Sequence, residues 1–136
     1  MITTAILRDL GFDLFEVSYT LTDDRGIREL NHRYRNINKT TDVLSFPQYN
    51  FYNGELKEPV ILAGKKAPLG DIVISMETLK RRNRKNNKKF KDDLLGVIIH
   101  AILHLIGFDH KVPRQRKIMR EAEKRLFKIY KKEFVL

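Results

Sequence analysis

The segment His100-Ala101-Ile102-Leu103-His104-Leu105-Ile106-Gly107-Phe108-Asp109-His110 carries three of the four histidines of the chain, and its spacing decides the fold around it. Residues four apart on a helix lie on one face a turn apart, so the spacing directs the His100 and His104 imidazoles at a common point. Gly107 can take the positive-φ backbone that ends a helix, which lets the chain double back and bring His110 to the same point. As ordinary core side chains, the two helical imidazoles would each need a buried carbonyl partner or cost roughly 1–3 kcal/mol. H-x-x-x-H-x-x-G-x-x-H supplies a shared partner and the turn together. The pattern predicts one ion per chain, held by His100, His104 and His110 with a fourth position open. Zn²⁺ is favoured because three imidazoles plus water suit its tetrahedral preference. His32 has no comparable neighbours and reads as a surface residue.

The chain around this segment has 136 residues and no cysteine, and 27 Lys plus Arg against 17 Asp plus Glu leave a formal charge of +10. One domain over residues 1–136 is the natural reading. With 42% hydrophobic and 32% charged residues, the chain is too apolar for a disordered tail and long enough to bury a core. The lack of cysteine excludes a disulfide scaffold, a thiolate zinc finger, an iron–sulfur cluster and a thiol nucleophile. The excess of positive charge favours a polyanionic partner without proving one. Arg8 and Asp9 interrupt the first segment before a secretory core develops, so a cytoplasmic protein is expected. The most apolar run, residues 94–108, is shorter than the roughly 20 residues of a membrane span and holds two histidines. It reads as a buried helix, with no membrane partner.

Working outward, Phe15-Glu16-Val17-Ser18-Tyr19-Thr20-Leu21 alternates as a strand, and Asp23-Asp24-Arg25-Gly26 opens a helix through Leu30 and Tyr34. Thr41-Asp42-Val43-Leu44-Ser45-Phe46 reads as a second strand closed by Pro47, and residues 48–68 as a long surface loop whose Tyr49, Phe51 and Tyr52 either stack on bases or tack the loop to the body. Leu69-Gly70-Asp71-Ile72-Val73-Ile74-Ser75 is apolar enough for a central third strand. Residues 76–87 follow as a basic helix or helix plus loop. Residues 80–91 carry no acid, which describes a solvated face or a phosphate-tracking surface, the second being preferred. Asp92 or Asp93 is expected to cap the helix that stops at Gly107. Pro113 opens a last helix with an apolar stripe of Ile118, Ala122, Leu126, Ile129 and Tyr130.

The histidine spacing matches the metzincin protease pattern H-E-x-x-H-x-x-G-x-x-H except that Ala101 stands where the general-base Glu belongs. Losing such a base costs about 10²- to 10⁴-fold in rate. Peptide hydrolysis by that route is therefore disfavoured, and metal-assisted hydrolysis of another bond remains open.

Four ordered segments, Leu30-Asn31-His32-Arg33-Tyr34-Arg35, Thr41-Asp42-Val43-Leu44-Ser45-Phe46-Pro47, Leu69-Gly70-Asp71-Ile72-Val73-Ile74 and the histidine segment, together resemble the YbeY family of bacterial metal-dependent endoribonucleases of rRNA maturation. The resemblance spans about residues 29 to 123. It implies a single-domain α+β fold, with a small mixed sheet of three or four strands packed by about five helices and a zincin-like metal site on the central helix and following turn. It further implies zinc on His100, His104 and His110, single-stranded RNA as substrate, and a role in 16S rRNA 3′-end maturation and ribosome quality control. The implied partners are the small ribosomal subunit, an Era-type GTPase and a small-subunit ribosomal protein. Ala101, Phe108 and Thr40 stand where the family usually has Gly, Tyr and Pro, and the Gln-Ala pair usual after Ile74 is absent. The family's usual first strand has no counterpart before Phe15, which implies a sheet lacking one edge strand.

A cation held by neutral imidazoles lowers the pKa of water from roughly 15.7 toward about 7, supplying hydroxide without a carboxylate base. Attack on phosphorus and deprotonation of the ribose 2′-OH both build charge on phosphoryl oxygens. Arg35, which the resemblance also indicates, is the catalytic candidate to meet it, since guanidinium binds phosphate through two parallel hydrogen bonds. Asp109 is expected to orient a ligand or cap the turn, and Ser45 or Asp71 to line the cleft. The competing reading is a noncatalytic RNA-binding or ribosome-assembly factor in which zinc only staples the helix to the turn.

Overall fold

The apolar run ending at Ser75 forms the spine of the sheet. The computed structural model describes residues 2–60, 65–86 and 88–135. In these, α1 (Ile2–Asp9), β1 (Phe15–Thr22), α2 (Asp24–Arg35), β2 (Val43–Pro47), β3 (Phe51–Tyr52), β4 (Glu55–Leu56), β5 (Ala67–Ser75), α3 (Met76–Asn86), α4 (Phe90–Leu105) and α5 (Pro113–Tyr130) follow one another. β5 lies between β1, to which it is parallel, and β2, to which it is antiparallel. Such a strand is covered on both faces and needs apolar residues in both phases of its alternation. Ile72 and Ile74 join the main core, whereas Val73 joins a smaller cluster with Ile27 and Leu44 beneath α2. The α+β fold with a small mixed sheet and five helices is as expected.

Helix α4 supplies more of the main core than any other element. Leu95, Ile99, Ala101, Ile102, Leu103 and Leu105 are buried on it, and it packs against β2 on one side and α5 on another. The apolar run is thus a buried helix, and no described helix is long and apolar enough to cross a membrane. Its start differs from the expectation. Lys89 is the N-cap, without a side-chain cap bond, and Asp92 and Asp93 fall within the first turn. Phe90 packs against the core, drawing the helix back by a turn, and Asp93 accepts from Asn83 Nδ2 at 2.7 Å. Both carboxylates still favour the positive end of the helix dipole.

Three further expectations are corrected. Residues 48–68 are not one long loop. Asn53 (φ 47°) and Gly54 (φ 83°) form a two-residue turn between β3 and β4, positive φ at both positions being what a type I′ hairpin requires. β5 begins at Ala67, and residues 61–64 lie outside the described ones. The apolar stripe of α5 is displaced: Met119, Leu126 and Tyr130 are buried, whereas Ile118 and Ile129 are 38% and 44% exposed. The Tyr130 hydroxyl, donating to Ala5 O and Asp9 Oδ2 at 3.2 Å each, ties that face of the helix to α1. Asn87, the last residue assigned to the basic helix, lies outside the described residues.

Candidate metal centre

The histidine geometry is set by the end of α4. Gly107 N–H donates to His104 O (3.1 Å) and Phe108 N–H to Leu103 O (3.0 Å), the two bonds of a Schellman cap with glycine at the left-handed position. Gly107 has φ 86°, and a Cβ there would lie 2.5 Å from Phe51 O. The β3–β4 turn closes the same end, with Asn53 N–H donating to Gly107 O (3.2 Å) and Gly54 N–H to Ile106 O (2.8 Å). The cap thus turns the chain back, and Asp109 Oδ1 accepts from His110 N–H at 2.7 Å. Of the two roles expected for Asp109, the structure displays the turn cap.

The result is convergence. One nitrogen each of His100, His104 and His110 lies within 4.8 Å of the others, and the Nε2 atoms of His100 and His104 are 3.1 Å apart. A tetrahedral ion with Zn–N bonds of about 2.0–2.1 Å spaces its ligand atoms by about 3.3 Å, so this donor set fits such an ion after a small closing movement of the outer ring. Nitrogen-only ligation suits zinc and its divalent neighbours and not calcium or magnesium. Burial, with the His100 and His110 imidazoles adding to it and Asp109 and the Phe108 backbone opposing, pushes His104 down to about 4. The ring is therefore neutral, as a ligand must be.

A carboxylate completes the arrangement. Glu123 Oε2 on α5 lies 2.9 Å from His100 Nδ1, which favours the Nδ1–H tautomer and leaves Nε2 to the ion. Sequence reading missed Glu123 because its relation to His100 exists only once α5 packs on α4. The one signal was an acid on the core-facing side of a basic helix.

The histidines line a cleft of about 700 Å³ together with Arg35, Asn31, Ser45 and Lys111. Arg35 ends α2, and its Nη2 donates to Ser45 O at 2.9 Å. This backbone tether holds the guanidinium at the cleft beside the Phe46 ring, 6.0 Å from its centroid. Ser45 lines the cleft, but its hydroxyl is committed to Ala101 O (3.2 Å) and bolts β2 to α4. Asp71 is not among the cleft residues; it sits on β5 opposite Phe46. His32 is exposed on α2, as expected.

The profile of the family described as Endoribonuclease YbeY matches residues 2–131. The chain belongs to the endoribonuclease YbeY family. A YbeY endoribonuclease of Caldicellulosiruptor bescii is 43% identical over 112 residues, covering 82% of this chain and 71% of that protein. Another, of Acetivibrio thermocellus, is 40% identical over 117 residues, covering 84% and 72%. The solution structure of a Thermotoga maritima protein shares the fold, with a TM-score of 0.52 at 22% identity over 96% of this chain and 85% of that one. The YbeY resemblance read from four short segments therefore holds across nearly the whole chain, including α1 and α5, which lie largely outside them.

Proposed function

We propose that the chain is a zinc-dependent, single-strand-specific endoribonuclease that acts in the cytoplasm on the 3′ end of 16S rRNA and in ribosome quality control. The observation that carries the hydrolase part is the convergence of three imidazoles and one tethered guanidinium in a single cleft. Family membership supports RNA as the polymer cut. The ribosomal setting, with the small subunit, an Era-type GTPase and a small-subunit ribosomal protein as partners, rests on the family resemblance.

His100, His104 and His110 would hold the ion. When bound, it supplies Lewis acidity and a water acidified from roughly 15.7 toward about 7, which accounts for an active site with Ala101 where zincins place Glu. Arg35, kept in place by Ser45 O, directs its remaining N–H donors at the phosphoryl oxygens as charge builds on them. Glu123 holds the His100 ring. Asp109 fixes the turn that presents His110.

Cleavage of labelled single- and double-stranded RNA by zinc-loaded, chelated, His104→Ala and Arg35→Glu protein tests this reading. Chelation is expected to abolish cleavage of the single strand and added Zn²⁺ to restore it. His104→Ala should lose stoichiometric metal by elemental analysis. Arg35→Glu should keep the metal and lose about 10²-fold or more in rate. If zinc restores thermal stability but no cleavage, the ion is a staple and the noncatalytic reading replaces this one.

A further inference from the structure

We propose that a second chamber, on the far side of His100 from Arg35, seats one nucleobase of the RNA strand. The inference rests on the endoribonuclease reading and adds a substrate contact to it. The chamber, about 400 Å³, shares His100 and Asp42 with the metal cleft. It continues over Gly96, Glu123 and Phe127 into a smaller hollow of about 280 Å³ that adds Ile99 and Lys124. A strand lying across His100 therefore meets both cavities.

Gly96 is the telling residue. It lies inside α4, where glycine is the poorest helix former after proline. A Cβ built on it meets nothing within 4 Å, so packing does not call for glycine. Its missing side chain leaves open floor beneath the half-buried Phe127. An aromatic wall beside an empty floor is the setting in which an unstacked base of single-stranded RNA is held.

Charge excludes a phosphate from the chamber and admits a base. Asp42, Asp92, Asp93 and Glu123 line it against only Arg82 and Lys88. Asp42 accepts from Arg82, Asp93 from Asn83, and Glu123 faces His100. Such a lining repels an anion and accepts hydrogen bonds from the amino edge of a neutral ring. Cations return at the outer end, where Lys124 lines the smaller hollow and Lys131 Nζ stands 6.0 Å from the Phe127 ring centre. That is where the next phosphate would lie.

The test uses single-stranded RNAs carrying 2-aminopurine at successive positions around the cleaved bond, mixed with zinc-loaded protein and followed by fluorescence ahead of cleavage. Wild type is expected to quench one position, by stacking on Phe127. Gly96→Leu, which fills the floor, and Phe127→Leu, which removes the platform, should abolish that quench and weaken binding about tenfold. Gly96→Leu should melt no lower than wild type; if it does melt lower, Phe127→Leu decides. Binding without quench at any position, or a wild-type quench and affinity in both variants, overturns the chamber. Wild type that cuts RNA without such a quench removes the chamber and leaves the nuclease reading intact. A quench that depends on Gly96 in a protein that never cuts does the reverse.

Discussion

Which nitrogen of His100 carries a proton is decided by a residue on another helix. Glu123 Oε2, 2.9 Å from Nδ1, stabilises Nδ1–H, and the Nε2 lone pair is then available for the ion. Removing that carboxylate while keeping the shape should therefore weaken metal binding without disturbing the fold. Glu123→Gln is expected to lower zinc affinity 10- to 100-fold, about the range for such outer partners, in a competitive chelator titration, with circular dichroism unchanged. An affinity equal to wild type would show that Glu123 serves packing alone. The three candidate ligands were legible because they occupy one helix and its turn, where 3.6-residue periodicity and a glycine dictate direction. Glu123 was not, because it stands 23 positions from His100, and only the packing of α5 on α4 relates the two. Arg35 lies between these cases. Its residue type suits phosphate, but its place in the cleft depends on Ser45 O, a contact across two elements.

The elements around the centre are joined by a few polar bolts whose effects can be separated. Gly107 serves both the end of α4 and the β3–β4 turn, and a side chain there meets backbone, which has little room to yield. Gly107→Ala should cost at least about 1–3 kcal/mol in urea denaturation, the range for a left-handed non-glycine residue. It should also loosen zinc, because the same turn presents His110. A variant with wild-type stability and zinc affinity would remove the turn from the account of the site. A second bolt joins α2, β5 and α3. Asp24 accepts from Thr78 and Ser75 at Oδ1 and from Arg81 at Oδ2, and the Thr78 hydroxyl first, then Arg81, hold its carboxyl down at about 2. A depressed carboxylate stabilises the fold fully above its unfolded pKa of about 4, and this contribution disappears as pH falls through the folded value. Asp24→Asn should therefore be less stable than wild type at neutral pH, with the gap in chemical denaturation closing between about pH 4 and pH 2. A gap independent of pH would mean that charge plays no part. The Asp24 bolt is a tertiary feature that no local pattern announces. The hairpin was legible in principle: Asn53-Gly54 between Phe51-Tyr52 and Glu55-Leu56 is a strong turn signal, lost to view because strands of two residues are too short to show alternation.

At the scale of the whole molecule, hydrophobic periodicity conveyed the α+β class and the central place of β5, since an apolar strand must be covered on both sides. It conveyed neither α1, whose eight residues are short for a periodic signal, nor the exact face of α5, which turns Met119, Leu126 and Tyr130 inward and leaves Ile118 and Ile129 outside. The distribution of charge was visible as a count and becomes a surface only in the fold. Arg81 and Arg82, which read as part of a continuous phosphate-tracking run, are bonded to Asp24 and Asp42 and act within the protein. Lys80, Arg84 and Lys85 remain exposed on α3 and make no ion pair among the described residues. If RNA runs along this face, those three meet phosphates and the two tied arginines contribute little. For single strands the logarithm of affinity falls with the logarithm of salt by about 0.7 per phosphate neutralised. Replacing Lys80, Arg84 and Lys85 together by alanine should then flatten the salt slope of RNA binding by about 2, measured by fluorescence anisotropy over a salt series. The melting temperature should hold, because exposed cations without partners add little to stability. An unchanged slope would move the RNA path off α3 and onto the basic face of α5, where the same titration with Lys124 and Lys128 replaced would locate it.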